Sequence, residues 1–360
     1  MENLGIITTI MTKKNILIIG NLGYVGAVLV PHLRNKFTNS RIIGFDIGYF
    51  SNNLTTNSMS PESLLDAQFY GDVRNFPSDL LNNIEVVIYL AAISNDPIGN
   101  LYENPTLDIN FTSAIHIAKE AKNRGVKYFS FASSCSVYGF TDATARTEKS
   151  ATNPLTAYAK SKIFAEDALS TLASEDFFIT CLRFATACGF STRLRLDLVL
   201  NDFIASAIAL NRINILSNGL AYRPLIHVKD MAKALEWSID RQLIHGNTFQ
   251  VVNVGNNKNN FQVKELAMKA QQYFENLEVT INHDAPIDHR SYEVDFTLYE
   301  QIAPNHQATF FLDDMIKDII QGLNSIKFTD GNFRKSNLIR LNTIQYLIKE
   351  EKIDADLKLM

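Results

Sequence analysis

Asn15-Ile16-Leu17-Ile18-Ile19 is a short, uninterrupted apolar run that stops at Gly20-Asn21-Leu22-Gly23-Tyr24-Val25-Gly26. Its length and composition are those of a parallel strand buried on both faces. A helical pattern follows through Val28, Leu29, His32 and Leu33. A buried parallel strand needs a crossover and covering helices, so this opening points to an open α/β sheet. Strand, glycine turn and helix start also suit a pyrophosphate, because glycines let the backbone approach closely and the helix's free N–H groups face the anion. The spacing is G-x-x-G-x-x-G rather than G-x-G-x-x-G, and a glycine turn of this kind also serves as a plain connector.

The next strand, Arg41-Ile42-Ile43-Gly44-Phe45, ends at Asp46. A carboxylate at that distance past the glycines accepts hydrogen bonds from an adenosine ribose and repels a 2′-phosphate, which favours NAD over NADP. The other reading is a turn aspartate after a strand. Residues 49–65, rich in Ser, Asn and Thr, predict a loop or weak helix. Asp72, in Gly71-Asp72-Val73-Arg74, suits either the adenine amino group, with Val73 beside the ring, or a helix N-cap. An apolar strand is predicted over 86–93, leading into Ser94-Asn95-Asp96-Pro97, and Asn110 opens a helix to Arg124-Gly125 as cap or ligand.

Thr156-Ala157-Tyr158-Ala159-Lys160-Ser161-Lys162 begins another helix. Tyr158 and Lys162 are four residues apart and share one face. A phenol titrates near ~10, and a neighbouring ammonium is expected to pull it toward neutral pH. The Ser133-Ser134-Cys135-Ser136-Val137-Tyr138-Gly139 segment, after the strand-like Tyr128-Phe129-Ser130-Phe131-Ala132, brings a hydroxyl toward it. Hydroxyl, phenol and ammonium make a proton-handling unit suited to oxidising a secondary alcohol. The plain alternative is two chance neighbours on a helix.

These units follow one another as in a doubly wound, Rossmann-type parallel sheet. Beyond the strand Phe177–Phe184 the character changes, and a smaller α/β domain interleaves with the first. The expected division is 12–188 with about 222–258 for the nucleotide domain, about 189–221 with 259–323 for the second, and a helical tail over 324–360. Asp230 is expected to cap the helix after Ile226-His227-Val228-Lys229. The tail carries enough apolar residues to dock, on its own subunit or on a partner. Net charge is -4 with no basic block, so no nucleic-acid surface is expected. Apolar runs are too short for a membrane span, and Met1 to Thr12 show no signal-peptide pattern. Cys135, Cys181 and Cys188 lack metal-ligand spacing, so no metal is expected and a reducing, cytoplasmic setting is.

The glycine turn at 20–26, Asp72-Val73, Leu90-Ala91-Ala92, Ser133 to Gly139, Tyr158-x-x-x-Lys162 and Arg223-Pro224-Leu225-Ile226-His227-Val228-Lys229-Asp230 stand in the order of a known family. The chain resembles an extended short-chain dehydrogenase/reductase of the nucleotide-sugar epimerase/dehydratase group over roughly residues 12–323. The resemblance implies NAD held by Gly20, Gly23, Tyr24, Val25, Gly26, Asp46, Asp72, Val73, Leu90, Ala91, Ala92, Asn110, Tyr158 and Lys162. It implies catalysis by Ser134, Tyr158 and Lys162, and substrate contacts from Ser134, Ser136, Asn201, Arg223 and Arg290. Guanidinium groups suit a nucleotide diphosphate because they pair with it bidentately. A homodimer, through helices at about 105–124 and 155–174, is expected by the same analogy.

Three departures bear on the reaction. Dehydratases of this group carry Asp-Glu after the catalytic Thr, where Cys135 and Ser136 stand here, so elimination of water is not expected. Thr186 occupies the place of the family's usual Asn, and Pro224 that of a common Asp. Ser-Ser-Cys resembles the GDP-fucose synthases, but counting back from Gly139 puts Ser136 at their cysteine's place. The expected activity is C4 epimerisation of a nucleotide hexose: oxidation at C4 with hydride transfer to NAD, then re-reduction. A C4 dehydrogenase or ketoreductase uses the same residues. From another class, a non-catalytic NAD-sensing protein would be expected to have lost Tyr158 or Lys162.

Overall fold

The computed structural model describes residues 13–55, 59–140, 144–241, 247–285 and 291–360. The strands are β1 (Asn15–Ile19), β2 (Arg41–Asp46), β3 (Ala67–Tyr70), β4 (Val86–Tyr89), β5 (Tyr128–Ser134), β6 (Phe178–Phe184), β7 (Thr186–Cys188), β8 (Arg212–Ile215), β9 (Tyr222–His227), β10 (Phe249–Val254), β11 (Asn260–Gln262) and β12 (Glu278–Ile281). Seven of them form one parallel sheet in the order β10-β6-β5-β4-β1-β2-β3. The chain runs outward from β1 to β3 and then returns to β4, so the order reverses between β1 and β4. That switch point opens a crevice at the strands' carboxyl ends.

Both faces of the sheet are buried, as the unbroken apolar runs require. Ile16 and Ile18 pack with Leu29 and Leu33 of the helix Gly26–Lys36. Leu17 and Ile19 point the other way, into a layer with Ile117 and Ala118 of the helix Ser113–Asn123. A third apolar cluster joins the helices Val199–Leu210, Val263–Gln271 and Leu312–Ser325 to Ile213 and Ile215 of β8. There β8 pairs with β12, while β7, β9 and β11 make a small separate sheet.

Local details differ from the sequence reading. The strand expected over 86–93 ends at Tyr89, because the Leu90 and Ala91 N–H groups both turn to the Ile19 carbonyl, at 2.7 and 3.0 Å. The cap of the helix Val228–Ser238 is His227, whose ring accepts from the Lys229 N–H. Asp230 instead sits inside the first turn and accepts from the Thr309 and Phe310 N–H groups and the Lys233 ammonium. Within 49–65 the chain makes a 3-10 turn at Pro61–Leu64. The tail forms a helix, Arg340–Lys349, and docks on its own subunit: Ile344, Ile353 and Leu357 enter the layer that holds Leu17 and Ile19.

Candidate active site

Of the site residues expected from sequence, Gly20, Gly23, Tyr24, Val25, Gly26, Asp46, Asp72, Val73, Leu90, Ala91, Ala92, Tyr158 and Lys162 line one cavity at the switch point. Two of the glycines are required by the protein's own packing. Gly20 has φ +89°, and a Cβ there would lie 2.4 Å from the Ala91 nitrogen; at Gly26 it would meet the Asn21 carbonyl oxygen at 2.1 Å. Gly23 is different. A Cβ there would approach nothing nearer than the Gly20 carbonyl oxygen, at 3.5 Å, yet the residue borders the cavity. A glycine that the fold does not need, at the mouth of a helix N-terminus, fits a close-approaching diphosphate.

Asp46 ends β2 with each carboxylate oxygen taking one backbone donor, Leu22 N–H at 2.9 Å and Gly48 N–H at 2.8 Å. Burial raises its pKa, and those two N–H groups oppose the rise. Lone pairs remain on both oxygens for ribose hydroxyls. Of the two roles that the sequence left open for Asp72, the structure shows the cap. It caps the 3-10 turn Val73–Asn75, borders the cavity, and pairs with Arg74, whose Nη2 is 2.6 Å away.

At the other end, Tyr158 and Lys162 project from the helix Ala157–Ser170, capped by the Thr156 hydroxyl on the Ala159 N–H. The Ser134 side chain hydrogen-bonds the phenol. The Lys162 Nζ donates to the Ala132 carbonyl at 2.7 Å and lies 5.5 Å from the centre of the Tyr158 ring. One expectation needs correcting here. The lysine does not pull the phenol down in the protein alone; burial pushes Tyr158 up to about 12, against the opposing Ser134 hydrogen bond. Burial also draws the Lys162 ammonium down to about 7. Both groups lose water, and each is thereby biased toward its neutral form.

Behind them lies a polar network that spacing did not reveal. Arg183 of β6 forms a bidentate, buried pair with Glu166, at 2.6 Å for the closest contact. The Ser133 hydroxyl donates to the same carboxylate, and Arg183 also donates to the Tyr138 hydroxyl at 3.0 Å. The network grips both ends of the Ser133 to Tyr138 segment and so holds Ser134 between them. Asn110 does not open a helix: the helical stretch starts at Glu103–Leu107 and passes through a π turn, Asp108–Thr112. From that turn its carboxamide binds both backbone groups of Ile93 and the Ser161 hydroxyl, tying the loop after β4 to the Tyr158 helix.

The expected substrate contacts are more scattered. Asn201 is fully buried, and its carboxamide binds the backbone of Gly189 and Arg195, which makes it a brace beneath the site. Arg223 on β9 donates to the Tyr222 carbonyl and lies 6.0 Å from the Tyr292 ring; both tyrosines border a second cavity. The Ser136 Oγ is buried and has no hydrogen-bond partner among the described residues. Cys135 turns its thiol into the core, toward the Arg183 carbonyl. Arg290 lies outside the described residues. Arg195 and Arg340 border the main cavity although neither was singled out for it. Arg195 pairs with Asp197 two residues on, a local charge pattern open to reading; Arg340 belongs to the tail, where nothing local connects it to the glycine turn.

No described helix is long and apolar enough to cross a membrane, and no cluster of metal-ligating side chains occurs among the described residues. The family model described as "NAD dependent epimerase/dehydratase family" matches residues 16–255, more than half of the chain. A dTDP-D-glucose 4,6-dehydratase from Dictyostelium discoideum is 30% identical over 174 residues, covering 42% of this chain and 39% of the relative. A UDP-glucose 4-epimerase from Pasteurella multocida (strain Pm70) is 31% identical over 195 residues, covering 48% and 53%. The matched region thus spans about half, or less, of these relatives' length. The solved structure of MoeE5 in complex with UDP-glucose and NAD superposes with a TM-score of 0.72 at 21% identity, over 86% of this chain and 99% of that one. At that identity the likeness is one of fold.

Proposed function

We propose, from the premise that this chain belongs to the NAD-dependent epimerase/dehydratase family, that it epimerises the C4 hydroxyl of a nucleotide-linked hexose. One observation carries the reading: the glycine turn, Asp46, Tyr158 and Lys162 line a single cavity, with Ser134 bonded to the phenol. NAD, when bound there, supplies the hydride acceptor and a positive charge. Gly20, Gly23 and the start of the helix Gly26–Lys36 would hold its diphosphate, and Asp46 the adenosine ribose.

Tyr158 is the group that takes the C4 hydroxyl proton and later returns it. With the phenol held up to about 12 by burial, it begins protonated, and it becomes a base only where further positive charge reaches it. The bound cofactor would be that charge, and Lys162 adds to it only while it keeps its proton. Ser134 hydrogen-bonds the phenol, and from there its hydroxyl would steady the same substrate oxygen. Arg223 and Arg290 are assigned to the nucleotide diphosphate, whose binding energy, remote from the reacting carbon, orients the sugar.

Elimination of water is left out of this reading. It needs an acid and a base at C5 and C6; Cys135 faces the core, with its thiol pKa pushed up by burial, and Ser136 is no carboxylic acid. A C4 dehydrogenase using the same residues is the second reading, and it differs in having to exchange its cofactor at each turnover. Dimerisation through the helices at 105–124 and 155–174 goes with the family assignment; Phe164, 45% exposed, lies on the latter.

The test is mass spectrometry and NMR of a nucleotide-hexose panel incubated with the purified protein in deuterated water. A C4 epimer without solvent deuterium is expected. Net loss of two hydrogens would establish the dehydrogenase, and loss of water would overturn the assignment to Cys135 and Ser136.

A further inference from the structure

The C-terminal tail does more than cover apolar surface. It is tied to the loops that border the adenosine side of the cavity. The Tyr49 hydroxyl donates to the Leu357 carbonyl, and the Arg74 guanidinium donates to the carbonyls of Asp356 and Leu357. The Asn53 amide reaches the Asn337 carbonyl at 2.7 Å and the Thr343 hydroxyl at 3.2 Å. Arg74 is the same residue that pairs with Asp72. The tail is thus latched, through hydrogen bonds, to the elements that would hold a dinucleotide.

Arg340, the first residue of the tail helix, reaches the cavity itself. It is 2% exposed, its guanidinium lies 4.4 Å from the centre of the Phe50 ring, and its Nη2 donates to the Arg193 carbonyl at 3.0 Å. Its Nη1 is buried with no hydrogen-bond partner, and no carboxylate lies within ion-pair distance of it among the described residues. Its cationic neighbours are compensated: Arg193 pairs with Glu62 at 2.8 Å, and Arg195 with Asp197 at 2.9 Å. Burial, followed by the charge of Arg195, brings Arg340 down to about 9, a sign of how poorly the protein alone accommodates it.

Asp197, the nearest compensating charge, is already engaged by Arg195, and a buried guanidinium with an unbonded N–H and no ion pair of its own is costly unless a ligand satisfies it. The cavity it borders also contains the glycine turn, where the diphosphate of NAD would lie. A 2′-phosphate is a worse fit, because Asp46 holds a carboxylate at the ribose side. Resting on the NAD reading above, we infer that Arg340 is a ligand of the cofactor's diphosphate, and that the tail is a latch which completes the dinucleotide site from outside the family-matched residues. A latched cofactor leaves slowly, which suits a reaction that regenerates NAD at every turnover.

Titration calorimetry of nucleotide-free protein with NAD, ADP-ribose and adenosine tests this, together with melting of the free protein. Loss of one charge-assisted contact corresponds to roughly 10- to 100-fold in affinity. Arg340→Met is expected to weaken NAD and ADP-ribose by about that factor, leave adenosine unchanged, and leave the melting temperature of the free protein level or raised. Arg340→Lys, which keeps a cation but not the fork, should fall between. Unchanged NAD affinity, an equal loss for adenosine, a gain of NADP binding in the wild type, or a lowered melting temperature without a loss of NAD affinity would each overturn the assignment. If wild-type protein bound no dinucleotide at all, the NAD reading itself would fail, a result distinct from any of these.

Discussion

Lys162 shows how much a single buried group changes when its surroundings are known. Its folded pKa of about 7 lies below the ~10.4 of an unfolded lysine. Between those values the unfolded chain keeps a proton that the folded chain has released, so stability rises with pH across the window and is lowest below about 7. The slope from this group is at most about 1.4 kcal/mol per pH unit. Denaturant titrations of nucleotide-free protein at pH values from about 7 to 10 should show that rise, and Lys162→Met should flatten it; an unflattened slope would mean the lysine is solvated in the folded state. The i, i+4 spacing correctly placed Lys162 beside the Tyr158 ring. It could not reveal the sign of the phenol's shift, because the largest cause is burial by the folded chain as a whole, which has no local signal.

Among the elements, the β5–β6 pair supports the site. Ser133 and Arg183 are register partners across the two strands, and Glu166 from the Tyr158 helix closes the network between them. Removing one partner of such a buried pair leaves the other charge uncompensated, at a cost of about 3–5 kcal/mol. Arg183→Met should lower unfolding free energy by that order in denaturant titrations, and Glu166→Gln added to it should recover a substantial part. A loss no larger in Arg183→Met than in a surface control would mean that the pair is not structural. The strands themselves were readable from sequence, since the apolar runs of β1 and β4 admit little else. The network was not, because Arg183 in a strand and Glu166 on a helix carry no periodic signal that links them. Asn110 illustrates the same limit: beside a helix, an asparagine suggests a cap, and only the tertiary structure shows it inside a π turn, holding Ile93.

Over the whole molecule, the glycine turn, Asp46 and the Tyr158 helix converge because a doubly wound sheet delivers the carboxyl ends of its strands to one crevice. That convergence was legible from the order of motifs. The tail's part in it was not: Arg340 meets the Arg193 carbonyl across 147 residues, and its helix reads from sequence as an amphipathic segment without a destination. The central claim for the molecule is that Tyr158 moves the proton while hydride passes to NAD at the same site. The direct test is single-turnover reduction of bound NAD, followed by the absorbance of reduced nicotinamide, in Tyr158→Phe against the wild type with a sugar that the wild type turns over. General acid–base catalysis of this kind contributes about 10²- to 10⁴-fold, so the account predicts a loss of that size with NAD affinity preserved. Reduction at the wild-type rate in Tyr158→Phe would contradict it.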